Sequence, residues 1–226
     1  TLTESGESFE FEGSSIVIKP KNPKCWTPET PYLYEFRIET ETDCIESYFA
    51  LREVGICYTG GTPRLSLNGK PYLFNGLLDQ GYYPEGIFMP ATEDGYIDDI
   101  KMAKALGFNT LRKHIKVEPE IFYRLCDEMG VVVFQDMVNN SNYSFILDTA
   151  LPTIGVKSLS DKNRHSNEKS RAIFESEMRA TIDHLNRFPC VLYYTVFNEG
   201  WGQFCADDMY EVAKKCAPTR IIDATS

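Results

Sequence analysis

From residue 72 onward the apolar positions switch repeatedly between two spacings. Short runs rich in β-branched and aromatic residues, at 72–77, 109–112, 131–135, 191–197 and 220–224, read as strands. The run at 191–197 lacks polar alternation, as a strand covered on both faces does. Between the runs the period is helical. The first helix opens at Thr92, with Glu93 and Asp94 at the positive end of its dipole, buries Ile97, Ile100, Ala103 and Leu106, and ends at Gly107. A second spans 118–129 with the stripe Phe122, Leu125, Cys126 and Met129 and stops at Gly130. A third covers 167–187 and a fourth 206–216. Residues 137–166 are rich in Asn, Ser and Asp and hold no sustained period; a loop of that length in a compact domain is usually functional or mobile.

The first part of the chain has no helical period. Strands are expected at 8–11, 14–18, 32–39 and 47–54, too few for a closed sandwich, so this segment reads as the final part of a larger sheet domain. Residues 55–63, with Gly60-Gly61-Thr62-Pro63, read as a linker. Beyond it Leu65-Ser66-Leu67 and Tyr72-Leu73-Phe74 flank Asn68-Gly69, a strong hairpin signal because both central turn residues need positive φ.

Alternating strands and helices require a parallel sheet with right-handed crossovers, either an open doubly wound sheet or the first part of a (β/α)8 barrel. A nucleotide-binding open sheet would carry a glycine-rich phosphate loop in a strand-to-helix turn, and none is present. Polar residues instead follow several strand ends: Asp79 and Gln80, Arg112 and His114, Asp136, and Asn198 with Glu199. Such residues converge at the C-terminal face of a barrel. A whole barrel takes about 250 residues, so the segment after residue 62 is read as its N-terminal half.

A net charge of -10 and a pI near 4.9 argue against a nucleic-acid surface. No apolar run approaches the roughly 18 residues of a membrane span, and the first seven residues lack the regions of a leader. The cysteines Cys25, Cys44, Cys57, Cys126, Cys190, Cys205 and Cys216 show neither Cys-x-x-Cys pairs nor a disulfide spacing, which favours a reducing, cytoplasmic compartment. His114, His165 and His184 are scattered, and neither a metal nor a cofactor is implied.

The strand at 191–197 delivers Asn198-Glu199 into a glycine-bracketed turn. A carboxyl group at the end of a covered strand loses water and is harder to ionise, which suits Glu199 to holding a proton near neutral pH and giving it to a leaving group. Asn198-Glu199-Gly200-Trp201-Gly202 resembles the acid/base signature of glycoside hydrolase family 2, the β-galactosidase and β-glucuronidase group. Trp26-Thr27-Pro28-Glu29-Thr30-Pro31-Tyr32-Leu33-Tyr34 is similar to the stretch before the last strands of that family's immunoglobulin-like domain. The resemblance implies residues 1–62 as the end of an immunoglobulin-like β-sandwich with its linker, and 63–226 as the first half of a TIM-barrel glycosidase domain.

It also implies retaining hydrolysis of β-linked glycosides. Glu199 would protonate the glycosidic oxygen and then activate water, while Asn198 would hold the sugar 2-hydroxyl. Arg112 matches the strand-two arginine beside the nucleophile, and Asp136 the acidic end of strand three. His114 and Lys116 depart from the usual Arg-x-Ser-His segment, and Asp79-Gln80 from the usual Gly-Val-Asn-Arg-His-Glu segment. Asp79 and Gln80 contact a sugar hydroxyl or bond within their loop; Trp201 stacks on a sugar ring or packs a helix start. In the family the nucleophilic Glu ends strand seven, so this segment alone is expected to be inactive and, through open strand edges, to self-associate. The rival reading is a non-catalytic carbohydrate-binding or assembly module.

Overall fold

The computed structural model describes residues 1–138, 144–156, 160–200 and 202–225. Two strands, β1 (Tyr34–Glu39) and β2 (Cys44–Phe49), pair antiparallel, Tyr34 opposite Phe49 and Glu39 opposite Cys44. Residues 8–11 and 14–18, read as strands, take no regular structure. One antiparallel pair does not make two facing sheets, so the expected sandwich is not shown by this segment.

The stretch read as a linker is a hairpin. Val54–Thr59 (β3) pairs antiparallel with Thr62–Leu67 (β4) around Gly60-Gly61, and Lys70–Pro71 (β5) returns across Asn68-Gly69. The glycines misled because they mark a tight turn as readily as a linker: both have positive φ.

Beyond them come β6 (Gly76–Asp79), α1 (Glu93–Ala105), β7 (Thr110–Lys113), α2 (Glu120–Met129) and β8 (Val132–Asp136). The long polar loop contains a π-helical turn at Phe145–Ala150 and the short α3 (Leu151–Thr153). Helix α4 (Glu168–Leu185), capped by the Asn167 side chain accepting from Ser170 N, leads to β9 (Val191–Phe197), α5 (Ala206–Cys216) and β10 (Ile221–Thr225). The five barrel-type strands form one parallel sheet in the order β10-β9-β8-β7-β6. Sequential order with parallel pairing is barrel-like, and β6 and β10 are its edges among the described residues.

Helices bury apolar stripes against one face of this sheet: Ile100, Phe122, Met178 and Ile182 pack with Leu111, Val133 and Leu192. In α1 the stripe is Tyr96, Ile100 and Ala103; Leu106, past the last turn, is exposed rather than buried as expected. The N-terminal segment docks at the end of α2. Trp26, fully buried, donates from Nε1 to Asp127 O, and the Tyr48 hydroxyl donates to Asp127 Oδ2 at 2.7 Å. Cys190 N donates to Asp127 Oδ1, and Arg52 Nε to Pro189 O. Gly130 permits this approach: it has φ 72°, and a Cβ there would lie 2.4 Å from Pro28 O. Burial pushes the Asp127 carboxyl up to about 7 despite these hydrogen bonds, while burial and nearby Arg220 pull Arg52 down to about 9. No helix among the described residues is long and apolar enough to cross a membrane.

Candidate active site

The parallel register sets the ends of β6, β7, β8 and β9 side by side, because Asp79 pairs with Lys113, Lys113 with Gln135 and Asp136 with Thr195. Strand alternation then decides which side chains meet. Arg112 shares the open face of the sheet with Phe134 and Tyr193, whose rings stack at 4.5 Å. Above that aromatic layer the Arg112 guanidinium donates from Nε to both oxygens of Asp136, at 2.9 and 3.2 Å, and from Nη2 to Asn198 Oδ1 at 2.9 Å. Asp136 is fully buried, and burial raises its pKa while the Arg112 bonds oppose the rise.

A guanidinium has only donors, so the Asn198 atom facing it must be the amide oxygen. Asn198 Nδ2 therefore donates to His114 Nε2, 3.1 Å away, and the ring proton sits on Nδ1. The Gln80 amide nitrogen is placed 3.3 Å from that Nδ1; with the ring proton there, the amide must be turned end for end, oxygen toward the ring, to accept it. Five of the residues singled out in the sequence thus form one chain of contacts, Gln80, His114, Asn198, Arg112 and Asp136, across four strand ends.

Glu199 follows directly on Asn198, in a short turn at Asn198–Gly200, and has left-handed dihedrals, φ 53° and ψ 20°. A non-glycine residue held there carries backbone strain of about 1–2 kcal/mol, a feature that clusters at functional sites. Its side chain is exposed, against the expectation of a desolvated carboxylate: the strand ends at Phe197, and the turn lifts Glu199 out of the covered layer. Trp201 lies outside the described residues.

Asp79 does not join the network. Its carboxylate accepts from Gly81 N and from Lys113 Nζ, and Lys113 is itself fully buried on the helix-covered face. Lys113 also donates to Glu118 Oε1 at 2.6 Å; that oxygen takes Lys116 Nζ at 2.9 Å, and Glu118 Oε2 takes the Tyr96 hydroxyl. Sequence reasoning missed Lys113 and Glu118. Their signal was present in the alternation of β7, which turns Lys113 away from Arg112 into a layer where a lysine needs carboxylate partners. Among the described residues no group of three or more His, Cys, Asp or Glu side chains is placed to hold a metal ion.

Comparison with known proteins agrees with this architecture. A β-galactosidase of Pseudoalteromonas haloplanktis is 34% identical over 126 residues, covering 53% of this chain and 12% of the relative. That of Leuconostoc mesenteroides subsp. mesenteroides is 27% identical over 217 residues, covering 92% and 19%. The chain therefore spans less than a fifth of the length of these relatives. Among solved structures, β-glucuronidase 3 of Bacteroides uniformis superposes with a TM-score of 0.71 at 20% identity, over 94% of this chain and 26% of that one. The β-D-glucuronidase of Dictyoglomus thermophilum gives 0.70 at 20% identity, over 89% and 34%. The family model described as glycosyl hydrolases family 2 matches residues 2–52, and that for the family's TIM barrel domain matches residues 62–226. With family models matching residues 2–52 and 62–226, and a strand order that fits a barrel, the chain belongs to glycosyl hydrolases family 2.

Proposed function

We propose that this chain is the acid/base-bearing half of the catalytic barrel of a retaining β-glycosidase, preceded by the end of an immunoglobulin-like domain at residues 1–62. The observation that carries the reading is the network from Gln80 to Asp136 at the strand ends, with Glu199 beside it on a strained turn. Glu199 protonates the glycosidic oxygen as the bond to the leaving group breaks, and in the second step takes a proton from the attacking water. Asn198 is buried and its amide is fixed by Arg112 and His114, so its placement is set before substrate arrives. In this reading it meets the sugar 2-hydroxyl, a contact that strengthens as the ring gains oxocarbenium character.

Arg112 has a second part. With one edge on Asp136 and Nη2 turned to Asn198, its positive charge favours an ionised carboxylate approaching the same face. Retaining hydrolysis needs such a nucleophile about 5–5.5 Å from the acid/base, and we assign it to a later barrel strand of the full-length protein. The sugar is a β-linked pyranoside held by Asn198, His114 and Gln80. Nitrophenol release from a panel of aryl β-glycosides by the full-length protein and its Asn198→Ala variant tests the reading. It predicts turnover of at least one glycoside, with kcat/KM lowered at least a hundredfold in the variant; full activity without the Asn198 amide would remove it.

A further inference from the structure

Gln80 reaches the network from a loop, and what fixes that loop is the buried charge cluster on the opposite side of the sheet. Each chain neighbour of Gln80 is held by a different lysine. Lys113 Nζ binds the Asp79 carboxylate at 2.9 Å, and Lys116 Nζ takes the backbone carbonyls of Gly81 and Phe88. Both ammonium groups converge on one oxygen of Glu118, at 2.6 and 2.9 Å, and Glu118 is fully buried at its side chain.

Two carboxylates and two ammonium groups balance, so the cluster is neutral as a unit although Lys113 has no solvent exposure. The backbone is shaped for it. Ile115, between His114 and Lys116, has φ 48°, a left-handed conformation that is an outlier for a β-branched residue, and Gln135 Nε2 pins Lys116 O at 2.9 Å. Gly81 has φ 65°, and a Cβ there would stand 2.1 Å from Glu118 Oε1 and 2.5 Å from Lys113 Nζ. The loop lies this close because no side chain intervenes.

We propose that Lys113, Lys116 and Glu118 are positioning residues for substrate binding: they touch no sugar, and they hold the Gln80 side chain against His114 in the cleft. This rests on the glycosidase reading above. The strained Ile115 turn is what lets the residue before it serve the cleft while the residue after it serves the cluster.

The test uses the full-length protein with Lys116→Met, Gln80→Ala and the double variant. Lys116 is chosen because its side chain keeps some solvent contact, whereas Lys113→Met removes a charge from the fully buried pair with Glu118 and risks the fold. If Lys116 acts through Gln80, Lys116→Met raises KM about tenfold with kcat within about threefold, and the double variant is no worse than Gln80→Ala alone. Losses that multiply in the double variant, or an unchanged KM, overturn the proposal. A second readout is independent of turnover: the ring nitrogen resonances of His114, identified by their loss in His114→Gln, must shift alike in Lys116→Met and Gln80→Ala. Unshifted resonances in Lys116→Met overturn the positioning role even if the protein proves to cleave no glycoside, and shared shifts without turnover support it while the glycosidase reading fails.

Discussion

Replacing Arg112 by Met strips the site of the group that binds it together, and the cost can be worked from the contacts. Asp136 is fully buried and takes two guanidinium bonds, and Asn198 Oδ1 takes a third. Removing one partner of a buried ion pair costs roughly 3–5 kcal/mol, because the other charge is left without solvent or counterion. The Arg112 side chain is 31% exposed, so water screens part of the pair and the lower end of that range applies, about 3 kcal/mol. The loss must depend on pH. Burial already raises the Asp136 pKa, and without Arg112 nothing comparable opposes it. The native state then holds a proton that the unfolded state releases, so stability increases as pH falls through the raised native value.

Urea unfolding at pH 7 and pH 5 is the assay. Arg112→Met should lose about 3 kcal/mol at pH 7 and less at pH 5, and adding Asp136→Asn should restore at least half of the loss at pH 7. An Arg112→Met protein within 0.5 kcal/mol of wild type, roughly the scatter of surface substitutions, would refute the reasoning, as would a double variant no more stable than the single.

Other positions give independent checks. Asp127 has a native pKa of about 7 against about 3.9 unfolded, so the native state binds the extra proton and this group's contribution falls as pH rises from 4 to 7, by on the order of 3–4 kcal/mol. Asp127→Asn removes that slope, since Asn can still accept from Cys190 N and donate to the Tyr48 hydroxyl; a difference curve against wild type that is flat over this range would refute the assignment. Gly81→Ala forces a Cβ onto Glu118 in a left-handed backbone and should destabilise by about 3 kcal/mol in thermal or urea unfolding, whereas Gly107→Ala, with open space around it, should cost only the strain of positive φ, about 1 kcal/mol.

Much of the barrel half was legible because its strands and helices differ in period. β7, β8, β9 and β10 begin and end within one or two residues of the apolar runs, and Gly130 stops α2 in the left-handed conformation that a terminal glycine allows. The first part was harder to read. Residues 8–18 carry Phe, Ile and Val but make no ladder, and β3 was hidden because Gly55 and Gly60-Gly61 gave it a linker's composition. A strand needs a partner, and pairing partners are not written in local pattern.

In the site, Arg112, Asp136 and Asn198 follow from strand ends and family resemblance, and parallel register brings them together. Asp79 was singled out with Gln80, but the strand ends between them: Asp79, the last residue of β6, goes to Lys113, and Gln80, the first of the loop, goes to His114. The exposure of Glu199 could not be read from the apolar run before it. It depends on a turn with left-handed dihedrals at a glutamate, which no propensity favours.

The central claim is that Glu199 gives a proton to the leaving group, and the leaving-group dependence of Glu199→Gln in the full-length protein tests it most directly. A dinitrophenolate departs without protonation, whereas an alkoxide needs a proton as its bond to the sugar breaks. First-step rates in the variant are expected to stay within about tenfold of wild type for dinitrophenyl β-glycosides and to fall at least about a thousandfold for alkyl β-glycosides, as the loss of a general acid requires. Equal losses on both substrates, or none on either, would contradict that claim.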